Sequence, residues 1–395
     1  MHNISADYIF PISSPPIKNG VITIDGDGRI VDIISNISEH PISTLANIQH
    51  HKGIICPGFI NTHCHLELSH LRSQIHENKG MAGFVKEILT TRFNFSDKEI
   101  QQAIADAEKE MMNNGIVAVG DISNNNSTFK QKAKGNLWYH TFIEVFNMDD
   151  AKAEDTFIKG KQLQKELQPL SNSIVPHAPY TMSEKLLMLI NEEAEATKSI
   201  ITIHNQESKE ESELFISKSG TLYELFKSMG INTDLIRETG VNSLRSTLPL
   251  IKDAEKILLV HNTYTTKEDI QFIKSQISNL KPQIYFCTCP NANIYIENNL
   301  PDYNLFIEED IPVTIGTDSL ASNWSLSILD EIKTIAKHFP HIPLQTLLTW
   351  ATKNGAEFLG LSNMGTIEKG KKPGLNLLTN IDGMRITNET KVIPL

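Results

Sequence analysis

Apolar and polar positions follow two regimes along this chain. Up to about residue 56 the apolar runs are short and separated by turn residues. Tyr8-Ile9-Phe10-Pro11-Ile12 predicts a short strand, and residues 19–34 predict two strands joined by the Asp/Gly turn Asp25-Gly26-Asp27-Gly28. From Gly53 onward, apolar runs of strand length alternate with amphipathic stretches of helix length. Gly53 to Ile60 predicts a buried parallel strand, bounded by Gly and Pro. Further strands are predicted over Ile116–Asp121, Trp138–Phe146, Ser173–His177, Ser199–His204, Ile257–His261, Gln283–Cys287 and Pro312–Asp318. Between them, helices are predicted over Met81–Phe93, Asp97–Asn114, Ala151–Leu167, Ser183–Thr197, Lys267–Ser278 and Ser325–His338, with two more near Pro343 to Leu359. Ser96 and Glu99 form a capping box for the second helix, and Gly115 ends it.

Eight strands with intervening helices predict a (β/α)8 TIM barrel. The tail from Gly365 through Leu378 returns to β pattern. It is expected to join the N-terminal strands in a small β-sandwich domain. The expected division is residues 1–56 and 362–395 for the β domain and 57–361 for the barrel.

Composition narrows this further. The 395 residues suit a barrel with insertions, and 40% hydrophobic with 21% charged residues is a globular balance. A net charge of −11 argues against a nucleic-acid or anionic-membrane surface. No run approaches the roughly 20 apolar residues of a spanning helix, and the N-terminal residues lack a signal-peptide pattern. A cytoplasmic protein is expected, with homodimerisation as the base-rate oligomeric state. Cys56, Cys64, Cys287 and Cys289 all sit in apolar runs, so reduced, packed thiols are expected.

Ligand-type residues collect at predicted strand ends, where a barrel places its chemistry. Pro57-Gly58-Phe59-Ile60-Asn61-Thr62-His63-Cys64-His65 ends in two histidines spaced i, i+2, which a strand points to one side. Cys64 between them points away. His204, His261 and Asp318 end three other strands. His63, His65, His204 and Asp318 offer three nitrogens and one carboxylate, a set suited to Zn²⁺ or Fe²⁺ with a position left for water. His261 either ligates or bonds the water or substrate, and the second role is favoured. Glu207, three residues past His204, either moves a proton between water and a substrate nitrogen or is a helix-start glutamate favoured by the dipole. The fourth strand end holds His177 where a two-metal site would need a lysine, so one metal is expected. His177 itself either contacts substrate or packs in its loop. A scaffold that has lost its metal is the non-enzymatic alternative, and the complete ligand set argues against it.

These motifs, with Gly316-Thr317-Asp318-Ser319-Leu320-Ala321-Ser322-Asn323, resemble the amidohydrolase superfamily over essentially the whole chain. His65-Leu66-Glu67-Leu68-Ser69, His177-Ala178-Pro179-Tyr180 and Ser322-Asn323-Trp324-Ser325-Leu326 look most like its aminofutalosine deaminases, in a subgroup with adenosylhomocysteine deaminases and triazine chlorohydrolases. The resemblance implies a metal-dependent hydrolytic deaminase acting on a small amino-purine-like substrate, with chloride release or cyclic amide opening as the alternative. It implies metal ligation by His63, His65, His204 and Asp318, and proton shuttling by Glu207. His261 with Asp318 would activate water, and Glu67 and His177 would contact the nucleoside, with Asn323 grouped beside them. Two departures stand out. Cys289-Pro290-Asn291-Ala292-Asn293 has Ala where relatives commonly have Ser, and Lys372-Pro373-Gly374-Leu375-Asn376 replaces a common Ala-Asp-Leu.

Overall fold

The computed structural model describes residues 1–35, 47–277 and 283–395. Both chain ends build one mixed sheet. Its strands are β1 (His2–Ile9), β2 (Ile17–Lys18), β3 (Val21–Ile24), β4 (Ile30–Ile34) and β5 (Ile48–Pro57) from the N-terminal part. Among the described residues they pair with two strands from the far end of the chain, β14 (Leu375–Thr379) and β15 (Lys391–Pro394), in the order β15-β14-β5-β1-β3-β4, with β2 beside β1. Ile4, Ala6, Ile9, Ile22, Ile55, Leu375 and Leu377 form its core.

Between these ends, among the described residues, lie eight parallel strands in two groups of four. The first group is β6 (Phe59–Cys64), β7 (Ile116–Ser123), β8 (Trp138–Val145) and β9 (Asn172–Pro176). The second is β10 (Ile200–Asn205), β11 (Lys256–His261), β12 (Gln283–Thr288) and β13 (Val313–Ile315). The terminal-sheet strands β14 and β15 follow. Strand residues alternate between two apolar clusters, as a period of two requires. Ile60, Ala118, Phe142, Val175, Leu258, Val260 and Tyr285 pack together on one side. Their neighbours Phe59, Val119, Ile143, Ile174, Ile257, Leu259 and Phe286 join the layer shared with helix residues such as Ile104, Leu186 and Ile332. This is a TIM-barrel-type α/β arrangement.

Hydrogen bonds also link the outer edges of the two groups. The His204 N–H donates to His177 O at 3.0 Å, joining β10 to the residue after β9. On the other side Thr62 Oγ1 donates to Ile315 O at 3.1 Å, and the N–H groups of Thr317 and Asp318 both reach His63 O at 3.0 Å. Gly316 permits that approach, because a Cβ there would lie 2.8 Å from His63 Cβ.

Several boundaries differ from expectation. The run Gly53–Ile60 is not one strand. Residues through Pro57 pair with Leu375 and belong to the terminal sheet, and Phe59 begins the barrel. The break falls at Gly58, where a Cβ would meet Val117 Cγ1 at 2.4 Å and Pro373 O at 2.9 Å. The first strand ends before Pro11, whose missing N–H cannot extend a ladder. The helix expected to reach Ser278 runs over Lys267–Gln276, and Ser278 lies outside the described residues. The first strand also begins at His2, well before the expected Tyr8, and the tail's first strand starts at Leu375 rather than Gly365. Elsewhere agreement is within a few residues, and the Ser96–Glu99 capping box is present.

Candidate active site

The strand-end histidines meet. His63 Nε2 and His65 Nε2 lie 3.2 Å apart, and Asp318 Oδ1 is 3.6 Å from the first and 3.4 Å from the second. One ligand atom each from His63, His65, His204 and Asp318 falls within a common 4.8 Å span, with all four residues buried. A tetrahedral ion with bonds of about 2.1 Å has ligand edges of about 3.4 Å. The three separations bracket that edge, so His63, His65 and Asp318 stand at the spacing a divalent metal needs, with a His204 nitrogen within 4.8 Å of each.

Local structure explains the convergence. A register shift between Asn61 and Cys64 in the β6–β7 pairing marks a bulge beside the first two ligands. Cys64, as expected, packs in the apolar layer on the helix side of the strand. Asp121 accepts from the Leu66 N–H at 2.8 Å and pairs with the fully buried Lys132 at 2.6 Å, fixing the turn that carries His65. Asp318 has a φ of +57° and bridges back to Cys64, and Ser322 Oγ holds its second oxygen at 2.6 Å. His204 Nδ1 donates to His177 O at 2.8 Å, which fixes the tautomer that leaves Nε2 bare.

Electrostatics suit ligation. Burial drives His65 down to about 3, and burial with the neighbouring His177 and His63 drives His204 well below its ordinary value. Neutral imidazoles are the form that binds metal. Asp318 is pushed up by burial but pulled further down by its His63 bond and the surrounding imidazoles, so it stays a carboxylate.

His261 and Glu207 face this cluster. Val260 packs inside the barrel with Leu258, so strict alternation would turn His261 outward. Its φ of +74° breaks the alternation, and the ring stacks on His204 at a centroid distance of 5.4 Å. Nδ1 donates to Asn293 Oδ1 at 2.8 Å, and Nε2 has no hydrogen-bond partner. Glu207 Oε1 lies 3.4 Å from that Nε2. Burial, then the charges of Asp318, Glu211 and Glu297, raise Glu207 well above the ordinary carboxylate range. Glu207 precedes the helix Lys209–Ser217 and is held by its backbone N–H, which donates to Glu211 Oε2 at 3.1 Å.

The remaining predicted residues divide. Glu67 is buried beside the cluster, and burial lifts it to about 8. It also lines an open groove of about 830 Å³ with Arg92, Phe93, Phe129 and Lys130. His177 packs against His204 at a ring distance of 4.9 Å. Asn323 sits deeper. Its amide donates to Thr317 O and Glu331 Oε1, both at 2.7 Å, so it braces the Asp318 loop. Of the loop that departs at Ala292, that alanine is core, and the neighbouring Asn293 holds His261.

Three residues escaped the sequence reading: Asn293, Asn124 and Glu144. Glu144 is 4% exposed at the end of β8, with Oε1 3.8 Å from His204 Nδ1. A carboxylate closing the apolar run Phe142-Ile143-Glu144 was the available signal.

The sequence profile of the amidohydrolase family matches residues 54–392. The chain belongs to the amidohydrolase family. Within the family, an adenosine deaminase of Helicobacter pylori is 27% identical over 336 residues, covering 82% of this chain and 78% of that one. An aminodeoxyfutalosine deaminase of Nitratiruptor sp. is 25% identical, covering 95% and 91%. Among solved folds, the Helicobacter pylori aminofutalosine deaminase in complex with methylthio-coformycin superposes with a TM-score of 0.81 at 24% identity, covering 98% of this chain and 94% of that one.

Proposed function

We propose that this amidohydrolase is a metal-dependent hydrolytic deaminase of adenosine-type nucleosides, aminofutalosine among them. The observation that carries the reading is the buried Glu207 carboxyl beside His261 Nε2 at 3.4 Å, facing the His63, His65, His204 and Asp318 cluster. Relatives that act as adenosine and aminodeoxyfutalosine deaminases support it. The four ligands would hold one Zn²⁺, with Fe²⁺ as the other ion this donor set accepts. When bound, the ion supplies Lewis acidity that lowers the pKa of water.

The chain's own groups then divide the proton work. Asp318 and His261 Nε2 accept the water proton and aim its oxygen at the amine-bearing ring carbon. Glu207, kept protonated by burial, gives its proton to the adjacent ring nitrogen. The new C–O bond forms as that nitrogen is protonated. The exocyclic C–N bond then breaks as the amine takes the proton held by Asp318 and His261 and leaves as ammonia, and the new hydroxyl returns a proton to Glu207 as the ring carbonyl forms. Glu67 and His177 contact the nucleoside, and Asn323 acts by positioning Asp318. Protonating a ring nitrogen disfavours simple amide opening.

A screen of amino-purine nucleosides, chlorinated triazine-type rings and cyclic amides against metal-loaded protein tests this: ammonia release from the nucleosides supports it, and chloride or carboxylate release from the other two classes in its place refutes it. A chelator should abolish the release and added zinc restore it.

We also read the two strand groups as one closed eight-stranded cylinder over residues 57–361, supported by the bonds at both outer edges. Residues 1–56 and 362–395 are then the β-sandwich domain. Four buried free thiols favour a cytoplasmic setting. Among the described residues, no helix is long and apolar enough to cross a membrane. Homodimerisation is the expected assembly, read by light scattering.

A further inference from the structure

Two buried carboxylates beside the metal cluster are only half satisfied. Glu67 is 2% exposed and Glu144 is 4% exposed. Asn124 ties them together. Its backbone N–H donates to Glu67 Oε2 at 3.1 Å, and its side-chain amide donates to Glu144 Oε2 at 2.8 Å. The other oxygen of each, Glu67 Oε1 and Glu144 Oε1, has no hydrogen-bond partner. A buried polar oxygen without a partner is costly, so two on side chains held by one asparagine call for partners that arrive with a ligand. His177 adds an acceptor. Thr181 Oγ1 gives its proton to Ala178 O at 3.0 Å, so it accepts from His177 Nδ1–H at 2.9 Å and leaves Nε2 as a bare lone pair.

A second cation is the competing occupant, since Glu144, His177 and His204 each offer a ligand atom within 4.8 Å. His204 Nδ1 is already committed to His177 O at 2.8 Å. Two ligands remain, too few for a protein-held metal.

We propose that Glu67 and Glu144, bridged by Asn124, form a two-carboxylate clamp for the vicinal hydroxyls of a ribose, with Glu144 selecting nucleosides over free bases. The inference rests on the nucleoside reading of the same site and adds to it a residue on a different strand. A ribose presents two hydroxyls on adjacent carbons, each able to donate or accept, one for each free oxygen. A free base presents none.

Equilibrium binding of inosine and 2′,3′-dideoxyinosine to the metal-loaded protein tests the clamp without any turnover. The parent should bind inosine at least about tenfold more tightly, as expected when buried, otherwise unpaired oxygens gain hydrogen bonds. Glu144→Ala should weaken inosine by about tenfold or more and leave dideoxyinosine within about twofold. Glu144→Gln is the milder variant. Its oxygen can keep the Asn124 bond while an NH₂ replaces the free acceptor, so the same selective loss is expected.

No inosine preference in the parent, equal losses for both ligands, or binding of neither overturns the clamp. So does a second metal ion per chain that Glu144→Ala removes. Failure of the deaminase reading looks different: no ammonia from any nucleoside, with the inosine preference intact.

Discussion

At the scale of single residues, the site depends on groups held in states they would not adopt in water. Glu207 must carry a proton to do its work, and burial with nearby carboxylates supplies that state. Glu207→Gln should therefore keep full metal content by elemental analysis while ammonia release falls by roughly 10²-fold or more. Near-parental turnover would remove Glu207 from the chemistry. Glu211, which holds the Glu207 backbone, is raised from 4.5 to about 7, chiefly by burial. A carboxyl whose folded value exceeds its unfolded one stabilises the fold most below the unfolded value. That contribution fades as the pH climbs through the folded value. Glu211→Gln removes this decline, worth about 3 kcal/mol between those two values. Denaturant titrations should find the parent losing stability relative to the variant from about pH 4.5 to about pH 7.5. A gap constant with pH would refute the assignment.

At the scale of elements, buried braces keep the ligand-bearing turns in place. Asp121 and Lys132 are both fully buried and pair at 2.6 Å, with Asp121 also holding the Leu66 N–H. Removing one partner strands a charge, so Lys132→Met should cost about 3–5 kcal/mol by urea unfolding and lower metal occupancy with it. A change under about 1 kcal/mol would mean the pair contributes little beyond what solvent-exposed pairs do. The exposed Ser96 cap is a milder case, where Ser96→Ala should cost about 1 kcal/mol. The contrast explains what could be read in advance. Ser96 and Glu99 announce themselves by spacing, and His63, His65, His204 and Asp318 by following apolar runs. Asn293 and Glu144 act through partners 32 and 60 residues away, on His261 and His204. Only the tertiary fold reveals such pairings. The left-handed turn at His261 was equally hidden, because alternation alone would have sent that ring away from the site.

At the scale of the whole molecule, the terminal sheet and the barrel meet around Gly58. Its N–H donates to Gly374 O at 3.2 Å, and Asn376 Nδ2 reaches Gly115 O at 2.8 Å. Gly58→Val should destabilise the fold by about 1–3 kcal/mol in thermal or denaturant unfolding, because the added carbons meet Val117 and Pro373. The apolar run across this junction read as one strand in sequence, since burial continues through it while the pairing partner changes. The pairing of β5 with β14 has a consequence for how the protein is made. One long side of β5 has its partner more than 300 residues downstream, from Pro57 to Leu375. At ribosomal speeds of about 5–20 residues per second, that flank waits roughly 15–60 s for its mate. Throughout that interval the nascent chain carries an unprotected ribbon of backbone donors and acceptors. Chains halted before Leu375 should therefore partition into aggregates.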